Sequence, residues 1–96
     1  MPNLVIVSVS VKKGYIDDSS IILKEITDLM NEVDGCINVQ LVQDVINHEK
    51  FKIYEKWESE EKHKNFVDQL KNNGLLSKLI ANLDEGPSSE TYKTQD

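Results

Sequence analysis

A carboxylate and the single tryptophan lie two residues apart at a predicted strand–helix corner. Glu55 and Trp57 fall in the predicted strand 51–57, and alternate side chains of a strand share one face. If that face is buried, the Glu55 carboxylate needs a hydrogen-bond donor or takes an elevated pKa, and either condition suits an acid–base group in a pocket. On the residues alone, core packing of Trp57 and an exposed Glu55 remain the alternative interpretation.

The helix that follows this strand brings two more candidate residues. Ser59 suits the N-cap position, and a stripe of side chains at helical spacing then begins. The stripe consists of His63, Phe66, Val67 and Leu70. His63 is a candidate general base because the ordinary pKa of histidine lies near neutral pH. The alternative is a half-buried histidine at the edge of the helix.

Four strands and three helices are predicted around this corner. A β-branched strand at 4–11 precedes a helix that ends at Asp34-Gly35, and strands at 37–41 and 51–57 follow. The second helix ends or kinks at Asn73-Gly74, a short third helix reaches Leu83, and residues 88–94 form a polar last strand. This order predicts an α+β, ferredoxin-like split β-α-β-β-α-β fold with one antiparallel sheet. We predict one domain over residues 1–96, with 94–96 frayed.

The first strand is apolar or small on both faces, which predicts a partner. Its valines occupy one face, and Ile6, Ser8 and Ser10 share the other with Leu4. Helices on one side of the sheet leave the second face bare, and an apolar patch of that size is unusual on a monomer. We therefore expect a symmetric homodimer formed through the sheet face. Ser8 and Ile6 are also candidate ligand contacts, although small residues beneath a helix explain Ser8 equally well.

Composition excludes several classes of function. The 96 residues carry a formal net charge of −6, and all 11 basic residues are lysine. Nucleic-acid binding requires a basic face, and forked recognition of phosphate favours arginine, so neither is expected. No apolar run approaches the ~20 residues of a membrane helix, and no signal peptide is readable. One cysteine, Cys36, fits a reducing environment, and we expect a soluble, cytoplasmic protein.

Neither metal nor phosphate chemistry is indicated by spacing. His48 and His63 are far apart in the sequence and no Cys or Asp pattern links them, so no metal site is predicted. The four glycines stand singly, which argues against a phosphate loop. Cys36 is expected to be a small packed residue, and His48 to be exposed in a polar connection.

The chain resembles the antibiotic biosynthesis monooxygenase family of dimeric α/β barrels, including the small quinol monooxygenases. The resemblance runs almost end to end and is most specific at the corner Tyr54-Glu55-x-Trp57-Glu58-Ser59-x-Glu61. Lys13-Gly14 and Asp34-Gly35-Cys36 match the ends of earlier elements. It implies a site between sheet and helices that oxygenates phenols or quinols with molecular oxygen and no cofactor. On this basis Glu55 and His63 are the candidate catalytic residues, and Trp57, Phe66, Ser8 and Ile6 the candidate substrate-binding residues.

Departures from the family pattern keep other functions open. Many members carry a helix histidine where this chain has Phe66, and His63 lies one turn earlier. The haem-degrading branch also needs a strand asparagine where this chain has Val7, so haem degradation is disfavoured. The alternative function is a non-catalytic dimeric barrel that binds a small hydrophobic ligand. An isomerase on the same scaffold is a third interpretation, but a phosphorylated substrate suits an arginine-free chain badly.

Overall fold

The computed structural model describes residues 2–95, which form seven elements of secondary structure. In chain order they are β1 Asn3–Val11, α1 Ile16–Glu32, β2 Cys36–Gln43, β3 Lys50–Trp57, α2 Glu60–Asn72, α3 Leu75–Ala81 and β4 Leu83–Lys93. The four strands make one sheet in the order β2-β3-β1-β4, and every neighbouring pair is antiparallel. This arrangement confirms the predicted α+β, ferredoxin-like fold.

The strand register divides the sheet into a face under the helices and a face without them. Val5 pairs with Glu55, Val7 with Ile53, and Asn3 with Trp57, so these six side chains share one face. That face forms the hydrophobic core together with buried residues of all three helices. Buried helical members are Leu23, Ile26, Met30, Phe66, Leu70, Leu75 and Leu79. The alternation read from β1 thus places its valines toward the core.

The second face carries the other half of β1 and its partners. Ile6 pairs with Tyr54 and Ser8 with Lys52 on β3, while Leu4 pairs with Tyr92 on β4. Leu4 and Ile6 are half-buried, and Tyr54 is 37% exposed. Apolar side chains of the sheet therefore remain open to solvent in the single chain.

A β-bulge at the start of β2 interrupts the alternation of inward and outward side chains along this strand. Cys36 pairs with Trp57, yet the next pair is Asn38 with Lys56, so one residue is left over between them. That residue is Ile37, which is 50% exposed. Val39 and Leu41, the next apolar residues at alternate positions of the strand, are half-buried against the core.

The two long helices begin in different ways. Ser59 caps α2 as predicted, because its hydroxyl oxygen accepts a hydrogen bond from the Lys62 backbone N–H at 3.3 Å. Helix α1 instead begins at Ile16 after Tyr15, with no side-chain cap. Asp17 and Asp18 lie in its first turn, where negative charge stabilises the positive end of the helix dipole.

Gly35 lets the start of α2 pack directly against the α1–β2 connection. Its φ is +98°, and a Cβ at this position would lie 2.4 Å from the Cβ of Lys62. The Glu58 N–H donates to the Gly35 carbonyl at 2.8 Å, and Lys62 forms an ion pair with Asp34. A side chain at residue 35 would therefore displace the helix that carries His63.

The last strand is longer than the sequence indicated. It begins at Leu83 rather than near residue 88, and register shifts against β1 occur around Ser10. Because the pairing of this first part of β4 is irregular, its sequence does not show the alternation of apolar and polar residues that is typical of a strand. Of the segment expected to fray, the Thr94 N–H donates to the Pro2 carbonyl at 3.2 Å, and Asp96 lies outside the described residues.

Within residues 2–95, the helices are all too short or too polar to cross a membrane.

Candidate functional site

Glu55 is a buried carboxylate on the core face of β3. It is 1% exposed, and its neighbour on that face, Trp57, is 0% exposed. The Trp57 indole N–H donates to Glu55 Oε1 at 2.8 Å. Among residues 2–95, no hydrogen bond reaches the second oxygen, Oε2. One oxygen of the carboxylate is thus fixed by the tryptophan while the other is available to a ligand.

Burial changes the acid–base properties of Glu55. Loss of solvent disfavours the charged form and raises the pKa of Glu55 to about 7, while the hydrogen bond from Trp57 acts in the opposite direction. Desolvation outweighs that hydrogen bond. The carboxyl therefore exchanges its proton near neutral pH, as a general base working at that pH must do.

Helix α2 places His63 and Phe66 above this carboxylate. The two residues are three apart, so they lie on the same face of the helix, one turn from each other. His63 Nε2 lies 3.7 Å from Glu55 Oε1, beyond the distance of a hydrogen bond. Burial lowers the pKa of His63. His63 is consequently uncharged near neutral pH, and the contact is not an ion pair.

Three aromatic rings pack together behind the carboxylate. The Trp57 and His63 ring centroids are 5.3 Å apart with a 46° angle between planes, and those of Trp57 and Phe66 are 5.6 Å apart at 38°. Tilted contacts at such separations are typical of stabilising aromatic pairs. The tryptophan ring therefore holds both helix side chains in place over Glu55.

A cavity of about 190 Å³ opens beside Glu55, between the sheet and the helices. Its wall is mainly apolar, with Glu55 and His63 as its ionisable members. The lining side chains are Val7, Ile26, Met30, Ile53, Glu55, His63, Phe66, Val67, Leu70, Leu76, Leu79, Pro87, Ser88 and Ser89. Pro87, Ser88 and Ser89 are exposed on β4 and form the rim. The arrangement is an apolar chamber with one acid–base pair in its wall.

The predicted site residues divide into two groups. Glu55, His63 and Phe66 line the cavity, and Trp57 lies behind them, in contact with all three. Ser8 and Ile6 lie on the opposite face of the sheet, because they pair with Lys52 and Tyr54. They therefore do not line the cavity beside Glu55, since alternate residues of β1 point away from the helices.

Sequence reasoning missed most of the cavity wall. Val7 lines it from β1, where the opposite face had been chosen, and Met30 and Ile26 line it from α1. Val7 can be assigned to the same face of the sheet as Glu55 only from the β1–β3 register, which cannot be deduced from the sequence. Nothing in the helical spacing of the α1 residues distinguishes the cavity wall from the packed core.

Other reactive side chains lie apart from this site. His48 is exposed on the β2–β3 connection, and Cys36 is half-buried with its thiol 3.6 Å from the Asn38 carbonyl. Burial raises the pKa of Cys36, which favours the unreactive thiol. In the part of the chain that the structure describes, His, Cys, Asp and Glu side chains form no cluster of three or more that would hold a metal ion.

Solved structures share this fold at low sequence identity. A conserved protein from Methanosarcina mazei Go1 is 18% identical with a TM-score of 0.89, covering 99% of this chain and 94% of that chain. A protein from Mycobacterium tuberculosis, Rv0793, is 12% identical with a TM-score of 0.89, over 100% and 97% of the two chains. SnoaB, a cofactor-independent oxygenase from Streptomyces nogalater, is 8% identical with a TM-score of 0.84, over 99% and 94%.

Sequence comparison identifies the family directly. No curated protein matches the chain. The family model described as antibiotic biosynthesis monooxygenase matches residues 2–69, which include β1 to β3, Glu55, Trp57, His63 and Phe66. Because that match spans well over half of the chain, the protein belongs to the antibiotic biosynthesis monooxygenase family.

Proposed function

We propose that the protein is a cofactor-independent monooxygenase that oxidises a small aromatic, quinol-like compound with molecular oxygen. Family membership supports a monooxygenase-type role, and SnoaB is an oxygenase of this kind on the same fold. The observation that carries the proposal is the buried Glu55, with its raised pKa, in the wall of an apolar cavity beside His63.

Glu55 is the proposed base that removes the phenolic proton. A phenol such as tyrosine has a pKa of about 10, so transfer to an ordinary glutamate is uphill by about 8 kcal/mol. With the pKa of Glu55 at about 7, the same transfer is uphill by about 4 kcal/mol. The same desolvation would raise the pKa of a bound phenol, so the phenolate also needs a hydrogen-bond donor at its oxygen.

His63 is the proposed donor to the phenolate oxygen. Because His63 Nε2 lies only 3.7 Å from Oε1 of the Glu55 carboxylate, a hydroxyl group bound to this carboxylate also comes close to the imidazole. In the tautomer with the proton on Nε2, the neutral imidazole donates to the oxygen as its negative charge develops. This contact strengthens during proton transfer, so it favours the reaction more than binding.

The electrons come from the substrate. The phenolate passes one electron to dioxygen, and the resulting radical and superoxide combine to form a carbon–oxygen bond. The peroxide takes back the proton held by Glu55, and cleavage of its O–O bond with loss of the hydrogen on the oxygenated ring carbon then releases water. One quinol and one dioxygen thus give one hydroxyquinone and one water, with both oxygen atoms accounted for and no external reductant required. An apolar chamber suits this sequence because it excludes water from the radical pair.

Oxygen uptake with a panel of hydroquinones tests the proposal. We expect uptake by the parent protein and a loss of about 100-fold in kcat for His63→Ala, with little change in KM. His48→Ala is the matched control, because that histidine is exposed and remote from the cavity, and it should leave the rate unchanged. No uptake with any quinol that binds the protein would favour the ligand-binding alternative.

We also propose that the protein forms a homodimer through the helix-free face of the sheet. Leu4, Ile6 and Tyr54 give this face an apolar centre that is only partly covered in the single chain. A second copy related by two-fold symmetry would bury the same side chains on both partners.

Sedimentation of a charge-insertion variant tests the dimer. Ile6→Lys places a charge at the centre of the proposed interface, and we expect it to sediment as a monomer while the parent sediments as a dimer. Ile21→Lys is the control, since Ile21 is 66% exposed on α1, and it should remain dimeric. A monomeric parent protein would contradict the proposal.

A further inference from the structure

We propose that the cavity selects neutral substrates with a single aromatic ring. This inference rests on the proposed function for its chemistry, but it concerns which molecules bind and is testable without turnover. It is carried by the volume of the cavity and by the charges in its wall.

The volume sets an upper limit on ligand size. The cavity measures about 190 Å³, whereas pockets for drug-sized molecules typically measure about 300–1,000 Å³. An apolar cavity of about 150 Å³ is known to hold benzene. One ring with its hydroxyl groups therefore fits, while a second fused ring must either displace the wall or extend past the exposed rim into solvent. Phe66 and the buried Met30 form part of that wall, and interiors yield to extra volume only at a cost.

The wall charges select against anions. Glu55 is the acidic member of the lining and His63 is neutral near pH 7, and no lysine within residues 2–95 contributes to the wall. A substrate carboxylate would lose its hydration beside the Glu55 carboxylate without gaining a cation. Ring compounds that carry an acid group are consequently disfavoured relative to the plain phenol or quinol.

Leu76, on α3, is one of the wall residues that limit the size of the ligand. It lines the cavity and is only half-buried, so shortening its side chain enlarges the chamber at the expense of little core packing. Leu29 on α1 is a matched control, because it is also half-buried against the core but does not line the cavity.

The indole N–H resonance of Trp57 reports ligand binding without any oxidation. The chain has one tryptophan, so it gives a single indole signal. The indole N–H of Trp57 donates a hydrogen bond to Glu55, so the signal is sensitive to changes at the carboxylate. Anaerobic titrations at about pH 8, where Glu55 is ionised, would compare phenol, naphthol and para-hydroxybenzoate. We expect phenol to shift the signal at saturation, and naphthol and para-hydroxybenzoate to bind about tenfold more weakly or worse. Leu76→Ala should bring naphthol close to phenol in affinity, and Leu29→Ala should leave the ranking unchanged.

The outcomes separate this inference from the proposed function. Equal or tighter binding of naphthol or para-hydroxybenzoate by the parent protein overturns the size and charge selection, even if quinols are oxidised. Failure of phenol to shift the indole signal also overturns it. If the ranking is found but no quinol supports oxygen uptake, the selection stands and the monooxygenase proposal fails. The parent titrations decide the matter even if a variant does not fold.

Discussion

Glu55→Gln is expected to reduce kcat for oxygen uptake by about 10²–10⁴-fold. The amide keeps the size of the side chain and still accepts the Trp57 N–H through its carbonyl oxygen. It does not take a proton from a phenol near neutral pH, so the loss reports proton abstraction and not a collapsed site. In the parent protein, kcat should rise with pH through about pH 7, following ionisation of Glu55.

Glu25→Gln is the matched control for this variant. Glu25 is exposed on α1, so the same chemical change there should leave both the rate and its pH profile unaltered. Steady-state rates from an oxygen electrode, with indole N–H spectra to verify the fold, complete the measurement. A Glu55→Gln protein that retains the parental rate and pH profile would remove Glu55 from the mechanism and leave His63 as the candidate base.

The free energy of unfolding of the parent protein is expected to fall between pH 4.5 and about pH 8. Over this range it should lose about 3 kcal/mol more than the free energy of unfolding of Glu55→Gln does. The folded pKa of Glu55, about 7, lies above its ordinary value of 4.5, so the folded state holds the proton more tightly than the unfolded chain. The associated stabilisation is complete below about pH 4.5 and is lost as pH rises through about 7.

Urea denaturation of the parent and Glu55→Gln proteins at a series of pH values measures this effect. The lowered pKa of His63 acts with the opposite sign, since it removes stability as pH falls below the ordinary histidine value. Because His63 contacts Glu55, the comparison is made in a His63→Ala background, which removes that contribution from both proteins. A difference in the free energy of unfolding that stays constant across this range would show that Glu55 keeps an ordinary pKa.

The corner from Glu55 to Ser59 could be predicted because its structure is local. Strand alternation alone places Glu55 and Trp57 on one face, and a serine before a helical stripe identifies the cap and the orientation of His63 and Phe66. Each of these relations involves residues within about two turns of each other. No long-range register was needed for them.

The rest of the site depended on pairings that are distant in sequence. Both faces of β1 are apolar or small, so the sequence does not distinguish Ile6 and Ser8 from Val7, and only the β1–β3 register assigns Val7 to the face of Glu55. The bulge that turns Ile37 outward and the early start of β4 have the same origin. A hydrophobic pattern predicts that a residue is buried, but it does not predict which residues pack against it.

The hydrogen bond from Trp57 to Glu55 allows the ionisation of Glu55 to be followed by tryptophan fluorescence. Indole fluorescence responds to a nearby carboxyl group, and this chain has a single indole, so its emission is free of contributions from other tryptophans. Gain or loss of the proton on Glu55 would then be visible as a change in emission, with no label attached. The contact that fixes the carboxylate thus also allows its ionisation to be followed while the protein works.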